Sequence, residues 1–363
     1  MSAAVRFHQV CIMFGDDPAP ALALADQGHD RAAIQASTGQ VLGVHECSLT
    51  VEEGEILVLM GLSGSGKSTL LRAVNALNPV VRGHVDVRVG GAMVNVTAAR
   101  GAALRQLRQT AVAMVFQQFG LLPWRSVAQN VGLGLEFAGL DAATRATRVR
   151  QQLELVGLSD RADALVGELS GGMQQRVGLA RAFATEAPIL LMDEPFSALD
   201  PLIRTKLQDE LLDLQRDLKR TIIFVSHDLD EAFKLGNRIA IMEGGRIIQC
   251  GTPREIFSNP ATAYVAEFVA NMNPLGVLTA RDVMGPGLAE GAVRIAPELA
   301  LREILTRFAK SPDPLAVEAA GQVIGTVTPR NRRRAVGGVR VRIFVRKFGV
   351  AIIRTNNRFQ KNA

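Results

Sequence analysis

Residues 61–68, with the sequence GLSGSGKS, fit the phosphate-binding pattern G-x-x-x-x-G-K-[ST] and constrain the fold more than any other segment. The glycines leave backbone N–H groups free to converge on a polyphosphate, Lys67 can reach the outer phosphates, and the Ser68 hydroxyl can complete a Mg²⁺ shell. The apolar run Ile56–Met60 before the loop predicts a buried strand. Apolar residues at helical spacing after it predict a helix whose N-terminus points at the anion, namely Leu70, Leu71, Val74 and Leu77. The sequence therefore predicts an α/β protein that binds a nucleoside triphosphate.

A second group of polar residues follows another apolar run, residues 189–192. Asp193 and Glu194 come directly after it, at the strand end where ligands bind in open α/β sheets. Asp193 is placed to hold Mg²⁺, and Glu194 to polarise the water that attacks the triphosphate. The alternative interpretation is a solvated acidic pair at the end of a strand.

The segment 169–176, LSGGMQQR, predicts a second helix start that can bind an anion. Ser170 is predicted to cap this helix, and Gly171 and Gly172 expose backbone amides at its first turn. Because the phosphate site at residues 61–68 is already complete, the extra site suggests a head-to-tail pair of chains. In such a pair, the spare helix end of each copy covers the γ-phosphate bound by the other copy.

Together these segments resemble the ATP-binding cassette (ABC) ATPases over about residues 5–270. Residues 169–175 resemble the family signature Leu-Ser-Gly-Gly-Gln, with Met173 at the usual glutamine position. The resemblance implies an α/β fold with a RecA-like P-loop NTPase core, an antiparallel β subdomain and a helical signature subdomain at about 120–185, within a domain 1–273. It also implies an ATPase that uses ATP and Mg²⁺ and works as a head-to-tail dimer.

The resemblance also implies roles for residues that carry no strong signal by themselves. Gln117 resembles the Q-loop glutamine that senses Mg²⁺ and water, and His227 resembles the switch histidine that contacts the γ-phosphate. Asp200 resembles the D-loop aspartate. Phe14 resembles the aromatic residue that stacks on adenine, and core packing is the alternative for this residue.

The implied site therefore has several parts. The catalytic residues are Glu194, His227 and Gln117, and the metal is held by Ser68, Gln117 and Asp193. Ser170, Gly171 and Gly172 act on the other copy. The nucleotide-binding residues are Phe14, Gly61, Ser63, Gly64, Ser65, Gly66, Lys67, Ser68 and Thr69.

Within the family, the chain resembles the ATPases of importers for quaternary amines such as choline and glycine betaine. Residues 21–28 and 31–39 predict a helical insertion that most members lack, and residues 61–66 and 121–125 are typical of this subgroup. The loop 121–125 is predicted either to pack on the helical subdomain or to dock a cytoplasmic helix of a membrane permease.

The expected partners are thus a second copy, an integral membrane permease and, indirectly, a solute-binding protein. The expected place is the cytoplasmic face of the membrane. The alternatives are an importer of another small polar solute or a soluble ABC ATPase without a transport role. The interval from Gly66 to Ser170 is too short for the long coiled coils of chromosome-maintenance proteins.

Charge and cysteine usage set limits on other classes of function. The net charge of +6 comes from residues 330–363, which contain eleven Arg and Lys residues and no acid. Removing them from the 41 basic residues leaves 30, against 35 acidic residues over 1–329. A nucleic-acid partner is therefore not expected from the basic pI. The absence of a signal-peptide core predicts a soluble, cytoplasmic chain, and Cys11, Cys47 and Cys250 are predicted to be buried, unpaired thiols.

The C-terminal third predicts two further parts. Residues 274–329 resemble one regulatory cystathionine-β-synthase (CBS) repeat, although such repeats usually work in pairs. Residues 330–363 form a basic tail predicted to be disordered or atypical, and no acid follows Glu318. The tail could meet anionic lipid, bind nucleic acid or be an off-frame terminus without a role.

Overall fold

The computed structural model describes residues 2–270, 277–287 and 291–329, together with the strands 334–336, 339–346 and 349–356. The chain divides into two compact units, one of residues 1–227 and 235–248, the other of residues 228–234 and 249–363. The domain limits 1–273, 274–329 and 330–363 stay predictions, and the junction at 273–274 lies outside the described residues.

The first unit contains two sheets and a set of helices. Its strands are β1 (Ala3–Phe14), β2 (Val41–Glu52), β3 (Ile56–Met60), β4 (Arg82–Val89), β5 (Ala92–Asn95), β6 (Val112–Val115), β7 (Ile189–Asp193), β8 (Thr221–Val225), β9 (Arg238–Glu243) and β10 (Arg246–Gly251), the last of which ends in the second unit. Its helices are α1 (Pro18–Asp26), α2 (Arg31–Thr38), α3 (Lys67–Leu71), α4 (Gly101–Thr110), α5 (Val127–Val131), α6 (Leu133–Phe137), α7 (Ala142–Leu155), α8 (Gly171–Ala184) and α9 (Pro201–Leu218).

The central sheet has the strand order β10-β9-β3-β8-β7-β6. β3 pairs in parallel with β8 and β9, and β7 pairs in parallel with β6 and β8. Every residue of β3, β7 and β8 is buried, as expected for apolar strands of a parallel sheet that is covered on both faces. Because parallel strands end at the same edge, the segments that follow β3, β7 and β8 come together there.

The smaller sheet is antiparallel, with the order β2-β1-β4-β5, and corresponds to the predicted β subdomain. β1 pairs with β2 from Ala3 opposite Glu52 to Phe14 opposite Val41. The chain therefore leaves this sheet after Phe14 and returns to it at Val41, directly across from where it left.

The predicted insertion forms α1 and α2 between these two strand ends. Asp17 and Asp30 accept backbone N–H bonds at the starts of the two helices, so both begin with a side-chain cap. The helices are held by an apolar cluster that joins them to β1 and β2. Its buried members are Met13, Ala21, Ala25, Ile34 and Leu42. We call this pair the inserted helices.

Helices α5 to α8 form the predicted helical subdomain, in which α5, α6 and α7 each pack on α8. The buried side of α8 contains the residues predicted for it, namely Val177, Leu179, Ala180, Phe183 and Ala184.

The helix after the phosphate loop is shorter than its apolar spacing predicts. α3 ends at Leu71, and turns follow it up to residue 76. Leu70, Leu71 and Val74 are buried as predicted, but Leu77 is 45% exposed. The prediction for Leu77 was wrong because the chain leaves the helical path before reaching it, and Ala76 has a left-handed φ of 54°.

The second unit begins with α10 (Leu229–Leu235) and continues after β10. Its elements are α11 (Pro253–Ser258), α12 (Ala263–Ala270), α13 (Ala280–Val283), β11 (Val293–Ile295), α14 (Leu301–Lys310), β12 (Leu315–Ala319), β13 (Gln322–Val327), β14 (Arg334–Val336), β15 (Val339–Arg346) and β16 (Gly349–Asn356). β12 pairs in parallel with β11 and antiparallel with β13. The likeness of this part to a CBS repeat stays a prediction.

The basic tail contains the antiparallel sheet β14-β15-β16. β15 and β16 pair from Val339 opposite Asn356 to Arg346 opposite Gly349. Thus the described part of the tail is strand, in a segment for which the sequence predicts a disordered or atypical terminus. Its role stays open among the three alternatives given above.

All three cysteines are free thiols, as predicted, but only Cys11 and Cys47 are buried; the predicted burial of Cys250 was wrong, since this residue of β10 is half-buried. Burial raises the pKa of the Cys47 thiol to about 12, so the reactive thiolate is scarce at neutral pH. We expect iodoacetamide at pH 8 to leave Cys47 unmodified in the folded protein and to alkylate it in urea, as measured by peptide mass spectrometry. Alkylation of Cys47 under native conditions would contradict the buried position.

Candidate functional site

The phosphate loop connects β3 to α3 and requires glycine for steric reasons. A Cβ at Gly61 would lie 2.1 Å from the carbonyl oxygen of Met242, and one at Gly66 would lie 2.6 Å from that of Gly43. Both glycines also have positive φ angles, 143° and 100°, which side chains disfavour. The loop can therefore pass this close to the backbone of Met242 and Gly43 only with glycine at both positions.

Lys67 lies at the start of α3, and its side chain folds back over the loop. Its Nζ donates to the carbonyl oxygens of Gly61 and Leu62, at 3.0 Å each. Burial lowers the pKa of Lys67, and the charges of Glu194 and Asp193 oppose that shift. The ammonium group is thus held inside the loop, beside the place where a polyphosphate would bind.

Ser68 and Asp193 form a pair of oxygen donors. The Ser68 hydroxyl donates to Oδ1 of the fully buried Asp193 at 2.6 Å, and Arg72 Nη2 lies 2.8 Å from Oδ2. Hydroxyl and carboxylate oxygens are the ligands that Mg²⁺ prefers, and Mg²⁺ usually takes only one or two protein carboxylates. The donor set therefore fits a magnesium ion beside the loop.

The three predicted catalytic side chains meet at one atom. Oε2 of Glu194 accepts a hydrogen bond from Gln117 Nε2 at 3.0 Å and lies 3.5 Å from His227 Nδ1. Glu194 has a left-handed φ of 49°, which is uncommon for a residue with a side chain. Such backbone strain is often stored at functional sites, and here it lies at the residue whose carboxylate is predicted to activate water.

A cavity of about 510 Å³ unites these groups, and we call it the phosphate-loop pocket. The predicted residues that line it are Phe14, Ser63, Gly64, Gly66, Lys67, Ser68, Thr69, Gln117, Glu194 and His227. Phe14 is 39% exposed, so its ring is open to the pocket and not enclosed in the core. Gly61, Ser65 and Asp193 are buried and are not among the residues that line the pocket.

The signature and D-loop residues do not line this pocket. Ser170 caps α8 by accepting the N–H of Met173 at 3.4 Å, and Asp200 caps α9 by accepting that of Ile203 at 3.0 Å. Ser170, Gly171 and Asp200 are exposed, and Gly172 is half-buried. Their predicted action on a second copy requires such accessible positions.

Sequence reasoning missed four residues that line the pocket, namely Arg31, Val41, Leu42 and Gly43, of which Arg31 alone is charged. Arg31, at the start of α2, lines the wall between Gly43 and Gly64. A signal was present, since Arg31 is the only Arg or Lys between residues 15 and 40. The sequence does not show that the inserted helices fold back on the phosphate loop.

Comparison with known proteins identifies the family of this site. The chain matches the ABC transporter family over residues 44–197. Over 305 residues it is 47% identical to the glycine betaine/proline betaine transport system ATP-binding protein ProV of Escherichia coli (strain K12), across 84% of this chain and 75% of that protein. The chain belongs to the family of ABC transporter ATP-binding subunits.

Other similar proteins support the same assignment. This ABC subunit is 44% identical over 331 residues to the trimethylamine N-oxide transport system ATP-binding protein TmoW of Ruegeria pomeroyi, across 90% of this chain and 95% of that one. Its fold matches the dimeric ATP-binding cassette MJ0796 bound to ADP and Pi, with a TM-score of 0.59 and 28% identity over 69% of this chain and 98% of that one. The RecA-like P-loop fold and ATP hydrolysis are therefore confirmed.

Among the residues that the structure describes, no helix combines the length and the apolar character that a membrane crossing needs.

Proposed function

We propose that this ABC ATPase is the peripheral subunit, on the cytoplasmic face of the membrane, of an importer for a quaternary amine such as glycine betaine or choline. The observation that carries the ATPase part is the meeting of Gln117 and His227 at Glu194 Oε2, in a pocket that also contains Lys67 and Ser68. The solute class is supported by relatives that are 42–49% identical and are named as glycine betaine transport ATP-binding proteins, and by the inserted helices typical of that subgroup.

Each residue of the pocket has a proposed task in ATP hydrolysis. Phe14 stacks on the adenine, while Lys67 and the loop amides bind the phosphates. Ser68, Asp193 and Gln117 would hold Mg²⁺, which supplies charge neutralisation at the phosphates when bound. Glu194 accepts a proton from the attacking water, and His227 and Gln117 orient that carboxylate and sense the γ-phosphate.

We propose that a second copy covers the pocket on the side where the γ-phosphate would lie. Ser170 and Gly172 of that copy would supply the hydroxyl and amide donors of a helix N-terminus. The accessible positions of the signature residues support this head-to-tail arrangement, and so does the dimeric state of the MJ0796 cassette. Asp200 would lie at the same boundary.

The loop 121–125 is the proposed docking surface for the permease. The fully buried Asn130 fixes this loop, since its Oδ1 accepts the N–H of Leu122 at 2.8 Å and its Nδ2 donates to the carbonyls of Leu122 and Arg125. Trp124 on this fixed loop is 73% exposed. A large apolar ring held in solvent by a rigid loop is typical of an interaction site.

Co-expression with an amine permease in membrane vesicles tests the proposal. We expect glycine betaine or choline, presented with a solute-binding protein, to stimulate ATP turnover, and a sugar such as maltose to have no effect. Stimulation by trimethylamine N-oxide alone would instead favour the alternative solute suggested by the TmoW relative. Turnover that no amine changes would overturn the assignment.

Two variants separate docking from catalysis. Trp124→Ala should reduce co-purification of the permease at least about ten-fold, as expected for an exposed aromatic anchor, while the turnover of the isolated ATPase is unchanged. Leu77→Ala removes another partly exposed apolar side chain outside this loop and should change neither quantity. Equal co-purification of the Trp124 variant and the unmodified protein would exclude this docking surface.

A further inference from the structure

The inserted helices hold Arg31 in a fixed place beside the phosphate-loop pocket. Ile34 is fully buried in the apolar cluster, and Asp30 Oδ1 accepts the N–H of Ala33 at 2.8 Å. The first turn of α2, to which Arg31 belongs, is therefore anchored on both sides. Its side chain needs no large movement to reach a ligand in the pocket.

The Arg31 guanidinium bridges two walls of the pocket. Nη1 donates to the carbonyl oxygen of Gly64 in the phosphate loop, and Nη2 donates to that of Gly43 on β2. A Cβ at Gly66 would lie 3.3 Å from Nη2, so the group also packs on the last glycine of the loop. Arg31 thus touches the loop that binds phosphate.

This guanidinium has no anionic partner in the part of the chain that the structure describes. Its hydrogen-bond acceptors there are neutral carbonyls, and its buried Nε has no acceptor. Burial lowers the pKa of Arg31, since the charge has lost part of its water. A phosphate oxygen is the acceptor that this group lacks, and arginine binds phosphate with two parallel hydrogen bonds.

Lys67 shows the same arrangement in the same pocket. Its ammonium group is also held by two carbonyl oxygens, both of them in the phosphate loop, and the family resemblance assigns it to the phosphates. Two cations held by neutral carbonyls thus flank one cavity. The simplest role that both cations can share is to bind a ligand with more than one negative charge.

The position of Arg31 indicates which part of the nucleotide it meets. Gly43 lies under the Phe14 ring, because a Cβ there would be 2.9 Å from Phe14 Cε2. Gly64 belongs to the phosphate loop. The guanidinium therefore joins the phosphate loop to the part of the pocket beside the Phe14 ring, which points to the α-phosphate, the phosphate nearest the base.

We propose that Arg31 is a nucleotide-binding residue, supplied by the inserted helices, that binds the α-phosphate. The inference rests on the nucleotide site proposed above and adds a contact from outside the motifs that define that site. Because ADP and ATP share the α-phosphate, Arg31 contributes equally to the binding of both.

Equilibrium binding of fluorescent ADP and ATP analogues to the full chain, in EDTA to prevent turnover, tests this contact. Arg31→Met should weaken both nucleotides by the same factor, about ten-fold or more, as expected for a hydrogen bond to a charged group. Arg31→Lys keeps the charge without the two parallel hydrogen bonds and should recover part of the affinity. Loss confined to ATP, or no loss at all, would overturn the inference.

A matched control excludes an indirect effect through the packing of the inserted helices. Arg246 Nη2 donates to the carbonyl oxygen of Ala25 at the end of α1, so it also fastens this segment, but it does not line the pocket. Arg246→Met should leave both affinities unchanged. If it weakens binding as much as Arg31→Met, or if Arg31→Lys fails to recover affinity, Arg31 is only a structural tie.

The assay also separates this inference from the proposed function. It needs no permease, so it reports on Arg31 even if the transported solute is not an amine. Failure of the unmodified protein to bind either nucleotide would refute the nucleotide site itself, whereas normal binding by Arg31→Met refutes only the contact proposed here.

Discussion

Glu194→Gln is expected to lower ATP turnover by at least about 100-fold while ATP still binds, because general-base catalysis contributes on the order of 10²–10⁴ to rates. The amide keeps the shape of the side chain and loses the ability to accept a proton. Gln117 and His227 converge on Oε2 of Glu194, so the variant changes the one group that both contact. Turnover is measured by phosphate release, and binding by a fluorescent ATP analogue.

Glu186→Gln is the control for this variant. Glu186 lies at the surface, paired with Arg148 at 3.0 Å, and it is not part of the phosphate-loop pocket. The same chemical change there should leave turnover within about two-fold, as for most surface substitutions. If the Glu194 variant retained normal turnover, another group would have to activate the water.

Mixing two inactive variants is expected to restore ATP turnover, because each complete site needs two chains. Lys67→Ala removes the phosphate-binding ammonium group. Ser170→Asp keeps a good helix cap and places a negative charge where the γ-phosphate of the other copy would lie. In a mixed dimer, the intact loop of one chain faces the intact signature of the other, which by counting gives up to about a quarter of normal turnover.

Ser170→Asn is the matched control, since asparagine caps a helix as well as aspartate without its charge. It should retain much more turnover than Ser170→Asp. Phosphate release is followed as the two inactive proteins are titrated against each other, and the recovery should rise and then saturate. No recovery at any ratio would exclude a site shared between two copies.

Local patterns predicted much of the fold. The strands Ile56–Met60 and Ile189–Asp193 are continuous apolar runs, and such runs become buried strands wherever they are placed in a parallel sheet. The cap at Ser170 also depends only on neighbours in sequence. The hairpin between β9 and β10 turns at Gly244 and Gly245, whose φ angles are both left-handed, as is typical of glycine pairs in tight turns.

The remaining features depend on contacts between distant segments. The bond of Arg31 to Gly64 requires the inserted helices to fold back over β2, and no periodicity in the sequence encodes that path. Arg72, just after α3, forms an ion pair with Asp193 at the end of β7. Local propensity cannot show this contact because the two residues are far apart in sequence. The predicted position of Leu77 failed because one left-handed residue redirects the chain. For Gln117 and His227, the family resemblance supplied the catalytic roles that their local sequence does not indicate.

The pairing of Phe14 with Val41 has a consequence for how this chain can change. A segment whose entry and exit are neighbours across one antiparallel ladder can be lengthened, shortened or exchanged without altering the alignment of the two strands. Such an attachment allows evolution or protein engineering to vary one wall of the nucleotide chamber independently of Glu194, Gln117 and His227. The nucleotide affinity of a cassette can thereby be adjusted through a replaceable segment, while the residues that carry out hydrolysis stay the same.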